Sequence, residues 1–134
     1  NEAVKTLPNT LIVAVTVLTS IDEVNLQKIG FKNAPKESAV NLAKLAVAAG
    51  ARAIVCSPQE VAEIRKNVDS SIVLITPGVR PKGSNANDQQ RIATPEEALL
   101  NGSNLLVIGR PITGSDNVSE SAKKISEEVN SVKL

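Results

Sequence analysis

The residues best suited to chemistry fall in two stretches, the polar segment Thr76–Thr94 (TPGVRPKGSNANDQQRIAT) and the turn Gly109–Thr113 (GRPIT). The turn follows the apolar run Leu105–Ile108 without a break. An arginine set at once after a core strand holds a planar cation at the strand end, and Gly109 leaves its amide uncovered. A guanidinium fork beside open backbone amides suits a phosphate dianion. The plainer alternative is an arginine paired with a neighbouring carboxylate. The polar segment carries Arg80, Lys82, Gln89, Gln90 and Arg91, with Gly78 and Gly83 to let backbone approach a ligand. A connection of this length in a compact chain is either functional or a solvated loop. Two other strand ends offer less. Glu23 stands three residues after Ser20, so Ser20 reads as a helix cap and only Thr19 remains as a possible ligand contact. Ser57-Pro58 reads as a cap alone.

Composition removes several kinds of chemistry. The chain has no histidine and one cysteine, Cys56, too few ligands for a zinc site and none to spare for an internal disulfide. Cys56 lies in the apolar run Ala53–Cys56 and reads as a small buried hydrophobe rather than a reactive thiol. Fifteen basic and 14 acidic residues leave a net charge of +1, which gives no reason to expect a nucleic-acid or membrane partner. Phe31 is the sole aromatic residue, so base-stacking surfaces are absent too. No apolar stretch is long enough to span a bilayer and no signal peptide is evident, so a cytoplasmic protein is expected.

The elements that must position these residues follow from the hydrophobic pattern. Leu11–Leu18, Ala53–Cys56, Ile72–Ile75 and Leu105–Ile108 are short, continuous and rich in β-branched residues, as in a parallel sheet buried on both faces. Helices are expected between them. Asn33–Ala49 places Leu42, Leu45, Ala46 and Ala49 on one face and stops at Gly50. Ser57-Pro58-Glu60 and Thr94-Pro95-Glu97 read as capping boxes opening helices at Pro58–Lys66 and Pro95–Leu100, and Ser20 with Glu23 opens Val24–Ile29. A last helix from about Asn117 lines up Val118, Ala122, Ile125, Val129 and Val132, and Asn1–Leu7 resembles the tail of an earlier helix. Strands alternating with helices predict right-handed crossovers and a parallel sheet. Four βα units in 134 residues make either an open four-stranded sheet or half of a (βα)8 barrel. In both, ligands sit at the C-terminal ends of the strands.

Five strings in order, VTVLTS (Val15–Ser20), ITPGVRP (Ile75–Pro81), DQQR (Asp88–Arg91), TPEEAL (Thr94–Leu99) and VIGRPIT (Val107–Thr113), resemble the bacterial form of orotidine 5′-monophosphate decarboxylase. The resemblance runs from about Leu11 to the C-terminal helix. It implies an α/β fold of the (βα)8 TIM barrel family, with residues 1–134 as a single segment forming the C-terminal half barrel, strands 5–8. It implies a homodimeric lyase that converts orotidine 5′-monophosphate to uridine 5′-monophosphate in de novo pyrimidine biosynthesis, with no metal or organic cofactor. The roles it implies are specific. Arg110 and the amide of Gly109 grip the phosphate, Arg80 contacts the phosphate end, Gln89 bridges phosphate and pyrimidine, and Thr19 bonds the pyrimidine edge. A mobile loop such as Val79–Arg91 would let remote phosphate binding lower the barrier at the base.

One part of that pattern is missing. The family's Asp-x-Lys-x-x-Asp motif carries the lysine that protonates the carbon losing CO2. None of Asp22, Asp69, Asp88 and Asp116 has lysine two residues later. No catalytic residue is therefore expected in this segment. Together with the missing methionine, this reads as a C-terminal fragment, partnered either by itself in a homodimer or by a missing N-terminal half. Two other readings remain: a non-catalytic phosphate-binding α/β module, and a related sugar-phosphate decarboxylase or synthase. Arg80 and Asp88-Gln89 argue against the last.

Overall fold

Each short β-branched run becomes a strand, and each pair of strands is joined through helix. A computed structural model of the chain describes residues 1–81 and 91–133. The order is α1 (Glu2–Thr6), β1 (Val13–Val15), α2 (Glu23–Lys28), α3 (Pro35–Ala48), β2 (Ala53–Val55), α4 (Val61–Asn67), β3 (Val73–Thr76), α5 (Pro95–Leu100), β4 (Leu105–Leu106), α6 (Arg110–Thr113) and α7 (Val118–Ser131). The strands form one parallel sheet in the order β1-β2-β3-β4. Sequential order with parallel pairing is the winding of a βα barrel, in which each crossover adds the next strand on the same side.

The strand register separates the two faces. Ala14, Ile54 and Leu74 are aligned across the sheet. They pack with Ala39, Val40, Ala43, Val61 and Ile64 of α3 and α4 in the main core. Successive side chains alternate between faces, so the other face carries Val15, Val55, Ile75 and Leu105, which are also aligned. Among the described residues no helix covers its margins: Val13 is 42% exposed, Val15 56%, Leu105 54% and Val107 50%. The sheet is thus buried on one side and open on the other, an apolar surface that water does not favour.

Local chemistry sets the helix ends. Thr94 and Glu97 form the expected capping box: the Thr94 hydroxyl accepts from the Glu97 amide at 3.2 Å and the Glu97 carboxylate from the Thr94 amide at 2.8 Å. Asn117 caps α7 by accepting from the Glu120 amide at 3.1 Å. Gly50 follows the end of α3 with φ +99°, a left-handed conformation that a side chain would strain. Two expectations are corrected. Ser20 does not cap α2; the carboxylate of Asp22 does, accepting from the Asn25 amide at 2.8 Å. The helix expected over Pro58–Lys66 starts at Val61, because residues 58–60 form a separate turn.

Opposite the strand ends, Arg65 of α4 fastens the lower edge of the sheet. Its guanidinium donates to the carbonyls of Ile72 at 3.0 Å and Gly102 at 3.2 Å, and to Asn104 Oδ1 at 2.7 Å. The same Asn104 oxygen accepts from the Leu74 amide at 2.8 Å. The approaches to β3 and β4 are thereby fixed, which leaves their other ends free to carry a site.

Candidate functional site

Because all four strands are parallel, their C-terminal ends lie along one edge of the sheet. Thr19 follows β1, Ser57 follows β2, Arg80 follows β3, and Gly109-Arg110 follow β4. Of the residues proposed from sequence, the structure therefore brings Thr19, Arg80, Gly109 and Arg110 to the same edge. Gln89 lies outside the described residues.

Their surroundings differ. Thr19 sits in a turn and is buried. Arg80 is also buried; its Nη1 donates to the Val79 carbonyl at 2.9 Å. The turn before it needs Gly78, whose φ of +77° is left-handed. Gly109 and Arg110 are exposed, and Gly109 opens the short helix α6 by accepting from the Ile112 amide at 2.8 Å. An amide and an arginine at the start of a short helix, facing solvent at a strand end, have the chemistry to bind an anion.

The long connection after β3 is closed at its base. Val79 bridges to Ala93 in parallel fashion, and the Arg80 amide donates to the Ala93 carbonyl at 2.9 Å. Arg91, inside that base, is buried and reaches across the sheet edge. Its guanidinium pairs with the Glu60 carboxylate and donates to the carbonyls of Leu18 at 2.7 Å and Val17 at 3.3 Å. Ser57 Oγ donates to the Arg91 carbonyl at 3.4 Å. The second Glu60 oxygen accepts from the Ser57 amide at 3.1 Å. Ser57-Pro58 is therefore more than a cap, since the turn it opens aims a buried carboxylate at an arginine 31 residues away. Sequence reasoning placed Glu60 in a capping box, and it does take the Ser57 amide. Nothing local marks its second partner.

Burial pushes the Glu60 carboxyl above its ordinary range, against the pull of Arg91. Cys56, fully enclosed behind this network, is pushed up to about 12 by burial first and then by Glu60. A thiol held protonated in this way is a structural residue and not a nucleophile. Among the described residues, no group of three or more His, Cys, Asp or Glu side chains could hold a metal ion. No helix among them is long and apolar enough to cross a membrane.

Parallel βα units wound in sequence, with the polar and cationic groups at the C-terminal strand ends, define a βα-barrel segment with its candidate site in the barrel's usual place. Over residues 1–125 the chain matches the family described as Orotidine 5'-phosphate decarboxylase / HUMPS family, and it belongs to that family. A protein named orotidine 5'-phosphate decarboxylase from Thermobifida fusca is 51% identical over 127 residues, covering 95% of this chain and 54% of that protein. A protein of the same name from Frankia casuarinae is 49% identical, covering 92% and 45%. The crystal structure of orotidine 5'-phosphate decarboxylase from Lactobacillus acidophilus superposes with a TM-score of 0.73 at 34% identity, covering 89% of this chain and 49% of that one. The chain spans about half the length of the relatives it matches. Its fold is likewise that of about half of a TIM barrel of this family.

Proposed function

We propose that this chain is the C-terminal half, strands 5–8, of an orotidine 5′-monophosphate decarboxylase barrel, and that it supplies the phosphate and pyrimidine contacts of the site. The observation that carries this reading is the convergence of Thr19, Arg80 and Gly109-Arg110 on one sheet edge in a chain about half identical to proteins of that name. Arg110 and the Gly109 amide hold the phosphate dianion. Arg80 approaches it from the end of β3, Gln89 spans phosphate and base, and Thr19 bonds the pyrimidine edge. The parent reaction is loss of CO2 from orotidine 5′-monophosphate to give uridine 5′-monophosphate in the cytoplasm. The proton-transfer residues lie in the other half of the barrel. The open apolar face bearing Val13, Val15, Leu105 and Val107 is where that half, or a second copy of the chain, would complete the core.

Binding by the complete gene product tests the phosphate assignment. Arg110→Ala removes an exposed side chain and should leave the fold intact. Loss of a charge-assisted contact of roughly 1.5–3 kcal/mol weakens uridine 5′-monophosphate binding about tenfold to a hundredfold. Uridine, which lacks the phosphate, should bind the variant and the wild type alike. Calorimetric titration showing equal nucleotide affinity in both would remove Arg110 from the site.

A further inference from the structure

Arg91 touches three strand ends at once, and none of the roles assigned above uses it. Its guanidinium donates to the two carbonyls that precede Thr19, at 2.7 Å from Leu18 and 3.3 Å from Val17. It pairs with Glu60 in the turn after β2. Its own carbonyl accepts from Ser57 at 3.4 Å, and two residues on, Ala93 holds the Arg80 amide at 2.9 Å. The Arg91 side chain is 9% exposed and that of its carboxylate partner 2%. A buried guanidinium needs acceptors on several sides: here two carbonyls lead into the turn that carries Thr19, and Glu60 holds the group from the turn after β2.

We propose that Arg91, fixed by Glu60, is a positioning residue that sets the separation between Thr19 and Arg80. The inference rests on the proposed roles of those two residues at opposite ends of one nucleotide. A ligand that bridges two contacts gains from both only when the contacts are held at the right spacing; the second contact is then made at high effective concentration. Arg91 is a strut across the sheet edge, from the turn bearing Thr19 to the base of the segment bearing Arg80. Loosening it should leave each contact able to bind its own part of the ligand while the benefit of joining the parts is lost.

Arg91→Lys in the complete gene product isolates this effect. A lysine keeps a cation beside Glu60, but a single ammonium lacks the planar fork that reaches a carboxylate and two carbonyls together. Dissociation constants are measured for uridine 5′-monophosphate, for uridine and for inorganic phosphate. The expected result is a nucleotide affinity about tenfold to a hundredfold weaker, with uridine and phosphate each changed less than about threefold. Should that variant not fold, Glu60→Gln, which releases the guanidinium from the Glu60 carboxylate, is expected to show the same pattern. All three ligands weakening in parallel, or none changing in a folded variant, would show that the pair is only part of the core and would overturn the proposal. Wild-type protein that binds no uridine 5′-monophosphate would overturn the nucleotide reading itself, and the inference with it.

Discussion

Residues 1–134, purified alone, should release no CO2 from orotidine 5′-monophosphate, whereas the complete gene product should turn it over. The expected loss is total because the missing part is chemical. Phosphate contacts accelerate a reaction only if their energy is expressed at the reacting carbon. By the resemblance, the group that delivers the proton there is the lysine of an Asp-x-Lys-x-x-Asp motif, and no aspartate of this chain begins one. A general acid must lie within hydrogen-bond reach of the atom it protonates, and neighbouring contacts cannot replace it. The check is a radiometric assay on chain freed of the other half by denaturing chromatography and refolding. Supplying the N-terminal half as a separate polypeptide should restore turnover, because the open sheet face offers the surface on which it would dock. Turnover by the isolated chain would mean that the proton donor lies among residues 1–134.

Arg91→Ala should be the most destabilising single change in the site. It takes the ion-pair partner from the buried Glu60 carboxylate and leaves only the weaker pull of Lys36, and breaking a buried pair from one side costs about 3–5 kcal/mol. The pH dependence of that loss identifies its cause. Burial already holds the Glu60 carboxyl above the ordinary value of 4.5, and Arg91 opposes the shift. For a carboxyl raised in this way, the folded state takes up its proton first. Its burden on stability is therefore absent below pH 4.5, grows as the pH rises through the elevated folded value, and is complete above it. Removing Arg91 raises that folded value further and enlarges the burden. Urea denaturation of the complete protein should show a deficit that is greatest at neutral pH and shrinks as the pH falls toward the ordinary carboxylate range. A deficit that does not change with pH would assign the loss to packing rather than to the orphaned charge.

The parallel sheet was legible because its strands are continuous β-branched runs, and the helices because their caps are local. Thr94 and Glu97 are three residues apart, and that spacing alone fixes their geometry. Local reading failed where two residues competed for one task. Ser20 and Asp22 both precede α2, and the carboxylate of Asp22, closer to the first turn, takes the amide. Strand length failed at the margin: Leu11–Leu18 shortens to Val13–Val15, the residues that pair with Ala53–Val55 of β2. The site was legible in part. Gly109-Arg110 stand out because a cation directly after an apolar run is unusual, and Arg80 because it lies in the long polar segment that follows β3. Thr19 needed the resemblance to single it out, since a hydroxyl before a helix is ordinary. The Glu60–Arg91 pair was illegible as a pair. Its members are far apart in sequence, each has an ordinary local role, and only the winding of the sheet brings the ends of β1, β2 and β3 together.

The central claim is that these strand ends hold the phosphate of a pyrimidine nucleotide. A crystal structure of the complete gene product with uridine 5′-monophosphate tests it most directly. Phosphate oxygens should lie within about 2.7–3.2 Å of the Gly109 amide and of the guanidinium groups of Arg110 and Arg80, with the base turned toward Thr19. A nucleotide bound elsewhere, or bound here with its phosphate away from Gly109 and Arg110, would contradict the account.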